Sequence, residues 1–237
     1  MMKLDNKSKY ATELDFWKNE IQNYLKWYRG EKIWYKTNPP LHSQIVDAPT
    51  EEYSAILTWF ELHQKLKYVQ DLQLPIDIFN NMILLDIGSG PFPNGLIFEN
   101  CEVYNLDPLI SDYIELGYPI LQYNQKAKFI EGFSESIPMN DNFFDAIISV
   151  NAIDHVDDFE KTAQEINRVL KPHGLFRMHV HYHESLITEP IKITDERFMS
   201  AFSWINNLVK IYESKSKTGY ILTNKNEKYV VWSNFKI

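Results

Sequence analysis

One cysteine, Cys101, stands in 237 residues. A single thiol excludes an internal disulfide and a cysteine-based metal cluster. Long apolar runs are missing as well: no stretch approaches the roughly 20 residues that a membrane-spanning helix requires. Met1 through Lys9 are polar and lead into no signal-type apolar segment. A cytoplasmic location with no membrane partner is the expectation from these absences. Excess positive charge is also lacking, since 24 Lys and Arg stand against 32 Asp and Glu for a net charge of −8. Such a chain repels phosphate backbones as a whole, so no nucleic-acid partner is expected. Internal repeats and low-complexity segments are absent. What remains is an ordinary globular composition, 44% apolar and 24% charged, with length enough for one sizeable core.

Residues 1–80 read as an N-terminal helical cap. Leu14, Trp17, Ile21, Tyr24, Leu25 and Tyr28 fall at helical spacing, with Thr12 as the expected N-cap. Asn38-Pro39-Pro40 breaks the chain into a loop, and Pro49-Thr50 opens a second helix with Ile56, Trp59, Leu62, Leu66 and Val69 on one apolar face. That stripe reads as core packing, and the Trp27, Trp34 and Tyr35 region as a lid over a pocket.

From residue 81 to 237 the pattern changes to strand, turn, helix, strand. Met82–Leu85 and Phe144–Val150 are continuous apolar runs, as buried parallel strands require. Between Asp157 and Lys171 the spacing of Phe159, Ala163, Ile166 and Leu170 predicts an amphipathic helix stopped by Pro172 and Gly174, and Leu175–Tyr182 resumes as a strand. A helix is expected around Glu196–Lys210, with Phe198, Phe202 and Ile205 inward. Tyr220-Ile221-Leu222 and Tyr229-Val230-Val231-Trp232, around Thr223-Asn224-Lys225-Asn226, read as a strand pair. The fold class is therefore α/β: a doubly wound, mostly parallel sheet with an antiparallel C-terminal strand pair and the helical cap.

Residues 82–90 end an apolar run in an acid and a glycine turn, Asp86-Ile87-Gly88-Ser89-Gly90. A second short apolar stretch then ends at Asp107, expected to be an exposed carboxylate at a strand tip before Pro108. Glycines let the backbone approach a ligand, and a carboxylate at the tip of the next strand accepts hydrogen bonds from ribose hydroxyls, so the pair points to a nucleotide. A dinucleotide fingerprint places a third glycine or alanine three residues beyond the second; here Pro91-Phe92-Pro93 follows, which disfavours a nicotinamide cofactor. Asp86 and Asp145 also admit a structural reading as strand-end acids.

Further motifs follow in order: Glu131-Gly132-Phe133, then Ile137-Pro138 before Asn142-Phe143-Phe144-Asp145, then Asn151-Ala152-Ile153-Asp154-His155, and Arg168-Val169-Leu170-Lys171-Pro172-His173-Gly174. From about Ile83 to Phe176 this series resembles the class I S-adenosylmethionine-dependent methyltransferases, in particular the small-molecule, type 11-like branch. The resemblance implies a Rossmann-like core and S-adenosylmethionine as cofactor. It implies that Asp86, Gly88, Ser89 and Gly90 line the methionine and ribose end, that Asp107 holds the ribose, that Gly132 and Phe133 flank the adenine, and that Asn151 lies near the methionine moiety. Two departures stand out: Phe133 replaces a customary acid facing the adenine, and His173-Gly174 replaces two glycines. A nucleic-acid enzyme of this kind would carry Asn or Asp-Pro-Pro-aromatic after the fourth strand, where Asn151-Ala152-Ile153-Asp154 stands.

His179, His181 and His183 alternate along an expected strand and so share one face, while His155 follows the fourth strand beside Asp154. Ligands of open α/β sheets sit beyond the carboxyl ends of the strands, which places His155, His183 and His181 near an acceptor as candidate bases and Asp154 as a candidate orienting acid. The histidine run reads as acceptor binding or base chemistry, as an ordinary packed strand face, or as a metal site; the expectation adopted assigns no metal. Arg29, Lys192 and Arg197 are candidate anion partners or plain surface charges. A weaker, partial likeness around the histidine run and Glu189-Pro190 to methyltransferases among surface-polysaccharide enzymes implies a sugar-like or phosphorylated small-molecule acceptor, methylated at oxygen. The expected assembly is a monomer or small homo-oligomer. A nicotinamide-dependent oxidoreductase and a catalytically idle donor-binding module are the competing readings.

Overall fold

The computed structural model describes residues 6–33, 36–217, 220–221 and 226–236. Trp34 and Tyr35, assigned above to a lid, lie outside the described residues, as do Leu222 and most of the 223–226 turn. The sheet is built from β1 (Ile83–Ile87), β2 (Glu102–Asp107), β3 (Ala127–Glu131), β4 (Phe144–Val150), β5 (Leu170–Tyr182), β6 (Val209–Ser214) and β9 (Lys228–Ser233). Its order is β3-β2-β1-β4-β5-β9-β6. The first five strands run parallel, and β9 inserts antiparallel between β5 and β6. This is the doubly wound sheet with an antiparallel end that the alternation of elements predicts. Connections from β1 run first to one side and from β4 to the other, so a crevice opens between the carboxyl ends of β1 and β4, where the strand order reverses.

Alternation along β1 divides the core. Leu84 faces Ala146, Ile148 and the helix α3 (Lys65–Leu72), whereas Leu85 faces Ile147, Phe176 and the helices α5 (Phe159–Val169) and α6 (Asp195–Ala201). The helix α1 (Asn6–Tyr28) packs on α2 (Glu51–Trp59) and, with α4 (Ile110–Glu115), forms an aromatic layer in which Phe60 stacks on Phe92 at 5.3 Å.

Several local expectations need correction. Thr12 lies inside α1 and bonds the Ser8 carbonyl, so it caps nothing. Thr50 does cap α2, accepting the Tyr53 N–H at 3.2 Å. Beyond Trp59 a five-residue π turn (Phe60–Gln64) intervenes before α3. Its wider winding shifts the helical phase, so Leu66 is exposed while Tyr68 and Leu72 are buried. The helix expected over Glu196–Lys210 ends at Ala201, although Phe198, Phe202 and Ile205 are buried as foreseen; Asn207 adopts φ of 60°, and Lys210 already belongs to β6. Tyr220-Ile221 is β8 and pairs with β7 (Ser216–Lys217) instead of with β9. The partners of β9 are β5 and β6, strands already in the sheet.

Candidate functional site

The turn after β1 is held open by its glycines. Gly88 has φ of 69°, and a Cβ there would lie 2.2 Å from the Cβ of Ala152. Gly90 has φ of 63°, and a Cβ would lie 3.3 Å from the ring of Trp17. Glycine takes up the left-handed region without strain at both positions, and at Gly88 only glycine fits so close an approach. The Gly90 N–H donates to Asp107 Oδ2 at 2.9 Å and the Leu109 N–H to Oδ1 at 3.0 Å, so the tips of β1 and β2 are tied together. Asp107 is 6% exposed, a buried carboxylate where the sequence suggested an exposed one. Burial pushes its pKa up to about 6 despite the two backbone donors.

Above this turn opens a cleft of about 640 Å³. Gly88, Ser89, Gly90 and Asp107 line it, with Gly132 and Phe133 on one flank and Asn151 on the other. Asp86 does not: wholly buried, it sits beneath the turn with Oδ1 3.3 Å from the hydroxyl of Tyr68, and burial raises its pKa well above the ordinary carboxylate range. Asp145 is structural, accepting the Ile83 N–H at 2.9 Å and pairing with Lys171 at 2.7 Å. Asn151, at φ of 55°, has a buried Oδ1 without a hydrogen-bond partner among the described residues.

Helix α1 forms the opposite wall through Tyr10, Glu13, Trp17 and Tyr24. Its register is fixed by the Tyr118 hydroxyl, which donates to the Trp17 carbonyl at 2.8 Å, and by Lys9 paired with Asp157 at 2.8 Å in the segment after β4. Glu13 accepts from Trp17 Nε1 at 2.8 Å. In the sequence Trp17 and Tyr24 stood only on a helical stripe, and Tyr10 and Glu13 were not singled out. Their spacing of three and four residues was visible there, but it reads equally as one packed helix face. The lid residue expected from sequence, Trp27, is instead core: it is fully buried and its indole donates to the Asn38 carbonyl.

The histidines divide. His155 and His181 line the cleft, whereas His179 is buried and stacks on Tyr229 at 5.0 Å. His183 is 5% exposed and does not reach the cleft, contrary to its expected place beside an acceptor. Its Nε2 lies 3.2 Å from both Asp154 Oδ2 and Glu189 Oε2. Burial works to lower the His183 pKa, but the Asp154 bond and the Glu184 carbonyl outweigh it and lift it to about 9. Asp154 thus orients His183 across the sheet and not its neighbour His155. Burial likewise works against ionisation of Glu189, yet the three surrounding histidines hold its carboxyl below the ordinary value. Glu189 lines the cleft, with Oε1 3.7 Å from His155 Nε2 and Oε2 3.7 Å from His181 Nδ1. Its place beside Pro190, a few residues past the histidines, was the one signal for it in the sequence. The candidate anion partners lie elsewhere: Arg29 pairs with Glu51, Lys192 with Glu184 and Arg197 with Glu160, none of them on the cleft wall.

Comparison with known proteins follows the same lines. Residues 85–178 match the family described as methyltransferase domain. A sterol 24-C-methyltransferase of Gibberella zeae is 39% identical over 109 residues, 43% of this chain and 28% of its own length. An uncharacterized methyltransferase of Bacillus subtilis, YcgJ, is 32% identical over 103 residues, covering 42% of this chain and 40% of its own length. The matched part thus spans well under half of these curated relatives. The solved structure of Bacillus subtilis YcgJ superposes over 72% of this chain and 97% of its own with a TM-score of 0.55 at 18% identity. The [4+2]-cyclase SpnF superposes over 90% of this chain and 93% of its own with a TM-score of 0.56 at 12% identity. These two structures establish the fold alone.

Proposed function

We propose, from the class I methyltransferase domain that residues 85–178 form, that this chain transfers a methyl group from S-adenosylmethionine to a small hydroxyl-bearing acceptor. The observation that carries the reading is the Gly90–Asp107 bridge at the floor of the cleft, which sets a carboxylate and an open backbone turn side by side. Asp107 would accept the ribose hydroxyls, Gly88 and Ser89 would leave room for the methionine end, and Asn151 would offer its free amide oxygen to the amino group. Phe133, 47% exposed and 6.2 Å from Tyr10, offers the adenine an aromatic flank in place of an acid. Carboxylates of Glu13, Glu20, Asp107 and Glu189 around one cleft favour a cationic donor. When bound, the donor supplies an electrophilic methyl carbon on a positively charged sulfur.

The chain's own contribution is alignment, which is where most of the rate of such a displacement arises. Trp17 and Tyr10 of α1 would act as the lid that closes the cleft and excludes water. His155 and His181 flank the acceptor end. A hydroxyl acceptor benefits from a base within reach, and His155 stands there on the cleft wall. The acidic wall suits a neutral, sugar-like polyol better than a phosphorylated metabolite, because Glu13 and Glu189 accept hydrogen bonds from hydroxyls and repel phosphate. A polysaccharide precursor falls within that class. The nicotinamide alternative is weakened by the same carboxylates and by the segment after Gly90, where a short 3-10 turn (Asn94–Ile97) stands in place of the helix N-terminus that a pyrophosphate needs. A screen of small hydroxylated acceptors with labelled S-adenosylmethionine tests the proposal. Label transfer to a polyol supports it, and S-adenosylhomocysteine binding with no transfer to any acceptor leaves the idle-module reading.

A further inference from the structure

We propose that Asp154, His181, His183 and Glu189 bind one divalent transition-metal cation at the acceptor end of the cleft. Each offers one ligand atom, and the four atoms lie within 4.8 Å of one another. The sequence brings them together from three directions. Alternation along β5 and its continuation supplies the two imidazoles, the segment after β4 supplies Asp154, and the loop before Pro190 supplies Glu189.

Tautomer and orphaned atoms both point to a cation. His183 Nδ1 lies 2.6 Å from the Glu184 carbonyl, so this nitrogen carries the hydrogen and donates it. A metal-binding histidine commonly shows this arrangement, one ring N–H fixed on a backbone carbonyl and the other nitrogen turned to the ion. Its Nε2 meets two carboxylate oxygens at 3.2 Å each. Ligands of a cation held at about 2.0–2.2 Å stand roughly 3.0–3.6 Å apart, which that spacing already matches. Glu189 Oε2, which faces both histidines, is buried and makes no hydrogen bond among the described residues. Asp154 is wholly buried, and among the described residues its Oδ1 has no hydrogen-bond partner either. The His181 ring lies tilted against that of His183 at 4.6 Å between centres, and its Nδ1 stands 3.7 Å from Glu189 Oε2, so it needs only a small closing movement.

Ligand chemistry narrows the cation. Magnesium and calcium take oxygen sets, whereas two imidazoles with two carboxylates suit zinc, manganese, iron or cobalt. Asp154 and His183 lie behind the wall and His181 and Glu189 on it, so a cation between them has one side toward the cleft. An acceptor hydroxyl or diol oxygen would take that side. This last role rests on the methyl-transfer reading; the binding of the cation does not.

The test is calorimetry on the full chain, stripped with a chelator and titrated with zinc chloride and with manganese chloride, together with visible absorption on adding cobalt(II). One equivalent is expected. Affinity should fall by about tenfold or more in Glu189→Gln and in His181→Ala, since losing even an outer-shell partner of a ligand costs that much. Both side chains border the cleft, so these variants should fold. His173→Ala, at an exposed position early in β5 and away from the four ligands, should bind as the parent does. Absence of heat and of cobalt bands, or binding that Glu189→Gln and His181→Ala leave unchanged, overturns the site. S-adenosylhomocysteine binding by the same stripped protein separates that failure from a failure of the methyl-transfer reading.

Discussion

The N–H of Gly90 and the carboxylate of Asp107 meet at 2.9 Å, joining the tips of two strands across the floor of the cleft. The bond spends one lone pair of Oδ2 and leaves others toward the cleft, since a carboxylate accepts about four. Asp107→Ala should therefore weaken S-adenosylhomocysteine binding by about 1–3 kcal/mol, the range for losing hydrogen bonds to a charged group. Calorimetric dissociation constants of parent and variant check this, and equal affinities would remove Asp107 from the donor site.

The same carboxylate gives the pH dependence. Its pKa, raised to about 6 by burial, lies above the ordinary carboxylate value of about 3.9. Ionisation is thus harder in the folded chain, and the stability this group contributes is full below about pH 4 and is lost as pH rises through 6. Donor binding runs the other way, because ribose hydroxyls need the ionised acceptor. Affinity for S-adenosylhomocysteine should tighten between pH 5 and about 7 in the parent and stay flat in Asp107→Asn. Dissociation constants measured across that range decide it.

The two glycines of the turn should differ in cost. Gly90→Ala places a Cβ 3.3 Å from the Trp17 ring at positive φ, and that ring edge can yield. Gly88→Ala drives a Cβ to 2.2 Å from the Ala152 Cβ, so backbone must move. Left-handed strain of about 1–2 kcal/mol applies to both, and overpacking adds about 1–3 kcal/mol at Gly88. Denaturant unfolding should show Gly88→Ala as the less stable variant by at least about 1 kcal/mol.

His155 and His183 should separate kinetically. His155→Ala, at the cleft wall, is expected to lower turnover while leaving donor affinity within about twofold, since it removes a group facing the acceptor. His183→Ala strands the buried Asp154 without its partner and should cost about 3–5 kcal/mol of stability. Unfolding midpoints and turnover rates of the two variants distinguish these outcomes. A fully stable His183→Ala would contradict the buried pairing.

Much of the scaffold was legible from local pattern. Continuous apolar strands such as Phe144–Val150 and the Asp86-to-Gly90 turn carry their structure in their own residues. What was hidden depends on distant partners. The π turn at Phe60–Gln64 has no composition of its own, so the stripe through Leu66 ran on past the phase change. The 205–210 segment looks like a helix because Phe198, Phe202 and Ile205 keep helical spacing, yet Lys210 pairs with Trp232 on β9. In the site, Gly88 and Gly90 were readable because the turn's backbone demands them, and Asp107 because it ends an apolar strand. Glu13 and Trp17 were not, for only the packing of α1 over the turn makes them cleft residues. The exposure inferred for Asp107 failed for the same reason, since the cover over a strand tip comes from elsewhere in the chain.

The most direct measurement is a crystal structure of the chain grown with S-adenosylhomocysteine. Its ribose hydroxyls are expected within about 3.2 Å of the Asp107 carboxylate, the distance of a true hydrogen bond, with the thioether beside Gly88 and Asn151. An empty cleft at saturating ligand, or the ribose bound away from Asp107, would contradict that placement.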